Sequence, residues 1–398
     1  MSKKTVLISG ASIAGPTLAY WLHRYGWETT IIERAPELRT GGQNIDIRGA
    51  GQTIACRMGI EHTIRDATTG EVGTRFVDAH GHTVAASRVS DGGGGATAEL
   101  EILRGDLARI LVDATTPGTK YNFGDTITAL HHNQNDVTVS FANGEDRTFD
   151  LVVLAEGKNS RSRDLAFNDV TIRPLGLYTA FLTIPRLDAD TQWARWYNAT
   201  GGRAIILRPD NKGTTRAALS FISDRAGYDD RDPDAQKRVL KTVFKDAGWE
   251  APRVLDALDS ESDMYFEYLG QVQMPQWSTG RIAVVGDAAA CASPISGMGT
   301  SLALVGAYVL AGELAAHVDH RDAFRGYERI MRPYVEQAQN LPPGTPRLAN
   351  PKSAPGIALL RLALKIGTSR AFDIIGDRFF SPPAEKIELP DYQHLEQH

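Results

Sequence analysis

Apolar runs of strand length alternate with helical segments at the start of the chain. A β-rich run from Thr5 to Ser9 leads into the glycine-containing stretch Gly10 to Gly15. A segment of helical composition, Thr17 to Tyr25, comes next and is followed by a second strand-like run, Glu28 to Glu33. This periodicity predicts a βαβ unit, and βαβ units build parallel sheets.

In the middle of the chain the pattern changes to repeated strand-length runs. Such runs recur between Tyr178 and Ile222, and a polar helical segment follows near Asp232 to Asp246. Another β-branched run, Arg281 to Val285, precedes long helical stretches. We therefore predict an α/β protein with a discontinuous, three-layer Rossmann-like nucleotide domain (1–174 and 275–340), a β-sheet substrate domain (175–274) and a C-terminal helical segment (341–398).

Several shorter patterns give local predictions. Val72 to Val84 has strand-like alternation, and Glu101 to Thr115 has helical composition. Asp91 to Gly95 contains four consecutive glycines and predicts a mobile loop, because glycine loses the most entropy on ordering. The amphipathic segment Ile357 to Ile366 predicts a helix that either docks on its own domain or lies on a membrane surface.

Composition and charge narrow the class of protein. The 398 residues, 42% of them hydrophobic, supply enough core for two domains. A formal net charge of −5 gives no attraction to nucleic acid. Cys56 and Cys291 lie far apart in the sequence, so we expect two reduced thiols and a cytoplasmic protein. The pair His131–His132 has no further ligands at metal spacing, so we expect no metal site. The apolar stretch Ser301 to Val318 contains Glu313, which indicates a buried helix and no stable membrane insertion.

The motif Gly10-x-Ser12-x-x-Gly15 is a dinucleotide-binding fingerprint at a turn from strand to helix. The backbone amides of such a turn, where Ile13 and Ala14 open the helix, point at a pyrophosphate. Ser12 replaces the middle glycine of the fingerprint. Glu33 ends the second strand, where a carboxylate accepts hydrogen bonds from the hydroxyls of an adenosine ribose. The alternative is a glycine turn of some other α/β protein, with Glu33 merely solvated.

A second motif follows the strand near residue 285. Gly286-Asp287 ends that strand, and Pro294-x-x-Gly297-x-Gly299 stands directly before a long helix. With the first fingerprint, these motifs resemble the class A flavoprotein monooxygenases, the family of p-hydroxybenzoate hydroxylase and the tetracycline-inactivating monooxygenases. The resemblance runs to about Tyr334 and implies FAD as the cofactor. The sequence has a single dinucleotide fingerprint, which agrees with transient binding of NAD(P)H.

The resemblance also implies which residues bind FAD. Asp287 would bond the ribityl chain, and Arg104 would reach the diphosphate or ribityl oxygens, its alternative being a surface pair with Asp106. Arg34 would lie over the adenine. The residues that would approach the flavin ring or the diphosphate are Asp46, Arg48, Gly286, Pro294, Gly297, Met298, Gly299 and Thr300.

A further family marker resembles the stretch Ala155 to Arg163, which in relatives reads Asp-Gly and touches both the flavin diphosphate region and the nicotinamide cofactor. Glu156 replaces that aspartate here, which keeps the charge but moves it by one methylene. A histidine often found three residues after the Gly-Asp aspartate is Ala290 in this chain.

The function implied by the resemblance is oxygenation of a small molecule. NAD(P)H would reduce FAD, molecular oxygen would add at flavin C4a, and the resulting hydroperoxide would hydroxylate an aromatic, phenolic or polyketide-like substrate. We name no catalytic residue, because an electron-rich substrate needs no covalent catalyst. The alternatives are a reductase or dehydrogenase of the same fold and a non-catalytic FAD-holding protein that binds a ligand. Either a monomer or a homodimer is compatible with the sequence.

The substrate domain offers several side chains for a pocket over the flavin. Most strand aromatics belong to the core, and we favour three of the candidates, Phe181, Tyr197 and Phe221. The full set of candidates is Phe181, Trp193, Trp196, Tyr197, Arg208 and Phe221.

Overall fold

The computed structural model describes residues 3–39, 41–88, 100–260, 264–367 and 387–397. The predicted loop at Asp91 to Gly95 lies outside these residues. The strands, in chain order, are β1 Thr5–Ser9, β2 Glu28–Glu33, β3 Asn44–Ile47, β4 Gly73–Val77, β5 Thr83–Arg88, β6 Leu100–Leu103, β7 Thr119–Phe123, β8 Ile127–His132, β9 Val137–Phe141, β10 Arg147–Phe149, β11 Leu151–Leu154, β12 Thr171–Pro185, β13 Ala194–Ala199, β14 Arg203–Pro209, β15 Thr214–Ile222, β16 Tyr265–Gln273, β17 Ser278–Thr279 and β18 Ile282–Val284.

The helices surround two of the sheets. Short 3-10 helices also occur at Pro294–Ser296 and Gln393–Leu395. The α-helices are α1 Ala14–Arg24, α2 Ala50–Arg57, α3 Glu61–Asp66, α4 Arg104–Thr115, α5 Arg161–Ala166, α6 Pro233–Phe244, α7 Ala251–Ala257, α8 Asp287–Ala290, α9 Gly299–Ala316, α10 His320–Gln339, α11 Thr345–Ala349 and α12 Ala354–Gly367.

A six-stranded sheet forms the centre of the first core, in the order β17-β18-β11-β1-β2-β7. Strand β1 pairs in parallel with β2 on one side and β11 on the other, as a βαβ unit requires. Apolar residues of α1, α4, α9 and α10 share this core with the sheet and with the three-stranded sheet β10-β9-β8. The predicted α/β class with a Rossmann-like domain is confirmed.

A seven-stranded sheet, in the order β16-β12-β15-β14-β13-β4-β5, forms the second core. Helices α6 and α7 cover one of its faces, where Leu240, Phe244 and Val254 are buried against the strands. The opposite face contacts the first domain at Glu267 of β16, which accepts a hydrogen bond from Lys158 in the loop after β11. Since side chains alternate along a strand, each strand of this sheet contributes residues to both faces.

Two local predictions differ from the structure. The predicted helix at Glu101 to Thr115 begins only at Arg104, because Glu101 to Leu103 pair with β3 as strand β6. The run Val72 to Val84 divides into β4 and β5, which form one edge of the seven-stranded sheet although they lie within residues 1–174. The three boundaries between the four predicted segments therefore stay predictions.

Helix α9 is apolar all round and mostly buried. It is the one helix among the described ranges that is long and apolar enough to cross a membrane, and it lies in the core of the first domain. The carboxylate of Glu313 accepts a hydrogen bond from the Tyr392 hydroxyl at 2.5 Å. Helix α12 docks through the buried Ile357 and leaves Leu359 and Leu362 exposed.

Candidate functional site

The turn between β1 and α1 is too tightly packed for side chains at its two glycines. A Cβ on Gly15 would lie 2.0 Å from the Gly10 carbonyl oxygen, and a Cβ on Gly10 would lie 2.5 Å from the Ala155 oxygen. Gly10 also has a φ of 113°, which L-residues rarely adopt. Ile13 caps α1 without a side-chain hydrogen bond, so the first amides of this helix are available to an anion.

Glu33 lies beside this turn at the end of β2. Its carboxylate accepts hydrogen bonds from the backbone N–H groups of Ala11 and Ala35, each at 3.0 Å. The two bonds fix the carboxylate while leaving each oxygen a lone pair for a further donor. Arg34 is exposed next to it. A diol such as a ribose could therefore bind at Glu33.

Arg104 extends from the first residue of α4 across the glycine turn. Its guanidinium donates a hydrogen bond to the Ser12 hydroxyl at 3.0 Å and is otherwise exposed. Ser12 thus holds a cation over the amides of the turn, which explains a serine where the fingerprint usually has glycine. Guanidinium and helix amides together can bind a diphosphate.

Asp287 begins helix α8 and closes the same groove from the other side. The preceding Gly286 packs against the first turn of α1, since a Cβ on Gly286 would lie 2.9 Å from the Ala14 Cβ. Desolvation by the surrounding protein raises the pKa of Asp287, and the nearby Arg104 guanidinium acts in the opposite direction. The glycine turn, Glu33, Arg104 and Asp287 therefore line one groove, which we call the cofactor groove.

The segment before α9 continues the cofactor groove toward the second sheet. Gly297 adopts a left-handed conformation with a φ of 62°, and a Cβ there would lie 3.9 Å from an Asp46 carboxylate oxygen. The Asp46 carboxylate pairs with Arg48 at 2.8 Å. The Arg48 backbone N–H donates to the Ser301 hydroxyl at 2.9 Å. Strand β3 is thereby tied to the start of α9, where Pro294, Met298, Gly299 and Thr300 also lie.

These residues fit an extended FAD molecule. The glycine turn and the exposed Arg104 suit the diphosphate, and Glu33 suits the adenosine ribose. Asp287 could accept hydrogen bonds from the ribityl chain. Gly297 and Gly299 lack side chains that would keep a flavin ring from the amino terminus of α9.

Glu156 is fixed beside the glycine turn by several hydrogen bonds. Its carboxylate accepts hydrogen bonds from the hydroxyls of Ser9 and Ser160, the latter at 2.8 Å, and from the Ser162 N–H at 3.1 Å. The longer side chain therefore reaches protein donors on both sides of the loop. In this arrangement Glu156 orders the loop after β11.

The face of the seven-stranded sheet opposite α6 and α7 carries residues that contact the loops around the cofactor groove. Helix α11 also packs on this face, where the Asn198 side chain donates a hydrogen bond to the Ala349 carbonyl at 2.8 Å. Lys158, in the loop after β11, donates hydrogen bonds to Glu267 of β16 at 2.6 Å and to the Tyr268 carbonyl at 2.7 Å. At the margin of the sheet, Arg208 of β14 binds the carboxylates of Glu71 and Glu101, the former at 2.8 Å. Burial disfavours the charged Arg208, but the Glu71 and Asp46 carboxylates outweigh it and raise its pKa.

On this face one line of apolar side chains crosses five neighbouring strands. Each member pairs directly with the next in the strand register, so their side chains point in the same direction. All of them are partly buried rather than fully packed. We call this line the apolar row; it consists of Phe181, Ala218, Ile206, Trp196 and Phe76.

Two of the three favoured substrate residues lie on the opposite face. Tyr197 is 6% exposed and donates its hydroxyl to the Ala247 carbonyl at 2.8 Å, and Phe221 is 4% exposed against Phe244 of α6. Each stands an odd number of positions from the member of the apolar row on its own strand. Because side chains alternate between the two faces of a sheet, both therefore point into the core under α6 and α7. Only Phe181 of the three faces the cofactor groove.

Sequence reasoning missed Phe76 and Ile206 as candidates for this face and gave Trp196 no preference. Phe76 belongs to a strand more than a hundred residues before the others, and only the parallel pairing of β4 with β13 brings it beside Trp196. The two rings lie 5.6 Å apart. The alternation of residues along a strand divides them into two faces of the sheet. Only the pairing of the strands determines which face lies toward the cofactor groove.

Comparison with known proteins identifies the family of this chain. A family model described as FAD binding domain matches residues 3–340. A flavin-dependent monooxygenase of Legionella longbeachae is 37% identical over 85% of this chain and 88% of its own length. The flavin-dependent monooxygenase eupH of a Phoma species is 35% identical over 98% of both chains.

The crystal structure of the tetracycline destructase Tet(55) has a TM-score of 0.82 and is 34% identical, covering 98% of this chain and 99% of that one. The resemblance inferred from the sequence motifs is confirmed, and so is FAD as the cofactor. The chain therefore belongs to the FAD-dependent monooxygenases.

Proposed function

We propose that this protein uses NAD(P)H and molecular oxygen to hydroxylate an aromatic, phenolic or polyketide-like molecule bound between the cofactor groove and the apolar row. The observation that carries the proposal is the apolar row itself. Neighbouring strands lie about 4.8 Å apart, so the row extends for roughly 19 Å from Phe181 to Phe76. A flat molecule of several fused rings matches this surface better than a single ring does.

The chain's own residues would bind and orient the two ligands. Bound FAD supplies the reactive group that activates oxygen. In this proposal Arg104 and the turn at Gly10–Gly15 hold the diphosphate, Glu33 holds the ribose and Asp287 holds the ribityl chain. In this proposal the apolar row would exclude water from the space above the flavin and so limit side reactions of the oxidant with solvent.

Oxygen consumption with product analysis tests the proposal. Purified protein loaded with FAD is mixed with NADPH or NADH and a panel of phenols, multi-ring quinones and a tetracycline. We expect a compound of the panel to speed NAD(P)H oxidation and to gain one oxygen atom, labelled when ¹⁸O₂ is supplied. A product that instead gains two hydrogens without oxygen uptake would identify a reductase. Ligand binding without any stimulated oxidation would identify a non-catalytic protein.

Phe181 and Phe221 form a matched pair for testing the apolar row. We expect Phe181→Ala to raise KM about tenfold for a compound that is turned over, because a partly buried ring contributes on the order of 1.5 kcal/mol of apolar contact. Its melting temperature should stay close to that of the wild type. Phe221→Ala should instead destabilise the protein by about 3–5 kcal/mol, since it leaves a cavity under α6. Equal KM values for Phe181→Ala and wild type would contradict a substrate role for the row.

We further propose that the protein works in the cytoplasm as a monomer or homodimer. Both cysteines, the exposed Cys56 and the buried Cys291, are free thiols, which suits a reducing compartment. The most apolar helix, α9, is buried inside the protein.

A further inference from the structure

The apolar row ends at a tyrosine that is open to the cofactor groove. Tyr265 of β16 pairs with Phe181 in the strand register and therefore points to the same face. Its side chain is 45% exposed, unlike the core aromatics around it. The charges of Arg104 and Asp287, which border the cofactor groove, act on its pKa in opposite directions.

The hydroxyl of Tyr265 contacts a buried ion pair formed by Glu267 and Lys158. It donates a hydrogen bond to a carboxylate oxygen of Glu267 at 3.3 Å. The same oxygen accepts from the Lys158 ammonium at 2.6 Å, and only about a tenth of either charged side chain is exposed. Since Lys158 is also bonded to the Tyr268 carbonyl, Glu267 has little freedom to turn away.

This arrangement fixes what the hydroxyl can recognise. When its single proton points along the 3.3 Å hydrogen bond to Glu267, the oxygen presents only lone pairs toward the groove. Burial and then the Glu267 carboxylate raise the pKa of Tyr265, so the hydroxyl keeps its proton at neutral pH. An oxygen that only accepts is matched by a ligand that donates, such as a hydroxyl on an aromatic ring.

We propose that Tyr265 binds a hydroxyl group of the substrate through its phenolic oxygen, with Glu267 and Lys158 as positioning residues. The inference rests on the proposed function and deepens it. It assigns the substrate a hydrogen-bond donor at the end of its long axis, beyond the aromatic surface that the apolar row covers. A methyl ether at the same place is excluded as a good ligand, because it has no proton to donate.

A pair of variants and a pair of ligands test this contact. For a hydroxylated compound that the enzyme turns over and its methyl ether, we compare KM in wild type and in Tyr265→Phe. Wild type should favour the hydroxyl compound about 3- to 10-fold, the worth of one neutral hydrogen bond, and Tyr265→Phe should lose that preference while its kcat changes little. Tyr268→Phe, on the same strand but facing the helix-covered core, should keep it.

Glu267 is tested by its conservative variant. Glu267→Gln can still accept the Tyr265 proton and should retain most of the preference, whereas Glu267→Ala should lose it, as Tyr265→Phe does. An unchanged preference in Tyr265→Phe would overturn the proposal even though the enzyme still hydroxylates its substrate. Absence of turnover in wild type across the panel would instead count against the proposed function, so the two failures are distinguishable. FAD absorbance and circular dichroism establish that each variant is folded and loaded.

Discussion

Replacing Gly15 with alanine is expected to destabilise the protein strongly and to weaken FAD binding. The new Cβ would lie 2.0 Å from the Gly10 carbonyl oxygen and 3.3 Å from the Ile8 side chain. The clashing atom belongs to the backbone, and the Gly10 residue is itself closely packed, since a Cβ there would lie 2.5 Å from the Ala155 oxygen. Helix α1 must therefore move away from β1, and the amides at its amino terminus move with it.

The expected size follows from forcing a methyl group into a packed core. Such overpacking costs about 1–3 kcal/mol and sometimes more, and a backbone clash belongs at the upper end. At roughly 2–4 °C per kcal/mol, the melting temperature of the apoprotein should fall by about 6 °C or more. Scanning calorimetry of the apoprotein measures this, and titration with FAD shows whether affinity falls as well.

Gly306→Ala in helix α9 is the matched control for Gly15→Ala. A Cβ on Gly306 would lie no closer than 3.5 Å to any neighbour, which is ordinary contact. Because alanine favours a helix over glycine by about 1 kcal/mol, this variant should be as stable as wild type or slightly more so. If Gly15→Ala melted within about 1 °C of the wild type, the close approach of α1 and β1 would be refuted.

The parts of the site that the sequence could predict are those whose residues are adjacent along the chain. A strand, the turn Gly10–Gly15 and a helix occur in one short segment, so the local pattern alone indicates an anion site. The same holds for Gly286-Asp287 and the glycines before α9. Geometry in these segments is set by backbone requirements that specific residues meet, above all the positive φ at Gly10 and Gly297.

The substrate side could not be predicted in the same way, because it depends on strand pairing. Phe181 and Phe221 look equivalent in sequence, yet they lie on opposite faces of neighbouring strands. The sequence predicts a helix from Glu101 because residues 101–103 of strand β6 lead directly into α4, with no turn residue to separate the two elements. The pair Lys158–Glu267 joins residues 109 positions apart, and no local pattern indicates it.

Replacing Arg104 with alanine is expected to weaken FAD binding without unfolding the protein. Each charge-assisted hydrogen bond is worth about 1.5–3 kcal/mol, so affinity should fall roughly 10- to 150-fold. The guanidinium is exposed and bonds only the Ser12 hydroxyl among the described contacts, so the melting temperature of the apoprotein should hardly change. Arg104→Lys should give an intermediate loss, since lysine keeps the charge but not the planar fork.

Arg109→Ala on the same helix is the control for Arg104→Ala, because Arg109 is also exposed, stands more than one helical turn further along α4 and has no described hydrogen bond to the glycine turn. FAD titrations of both variants at several salt concentrations measure the difference. The loss in Arg104→Ala should shrink at high salt, where the attraction of wild type for the diphosphate is screened. If the FAD affinity of Arg104→Ala stayed within twofold of wild type, the diphosphate would not bind at Arg104.

The pH dependence of FAD affinity measures the effect of Arg104 on the pKa of Asp287. Asp287 accepts hydrogen bonds from the ribityl chain best as a carboxylate, and desolvation already raises its pKa. Affinity should therefore fall as the pH drops through that raised pKa. Arg104 holds the pKa of Asp287 down, so in Arg104→Ala the pKa rises further and the decline in affinity should begin at a higher pH.

In Arg104→Ala with Asp287→Asn this displacement should disappear, because no carboxyl remains to titrate. A decline at the same pH in wild type and Arg104→Ala would mean that the Arg104 charge does not lower the pKa of Asp287.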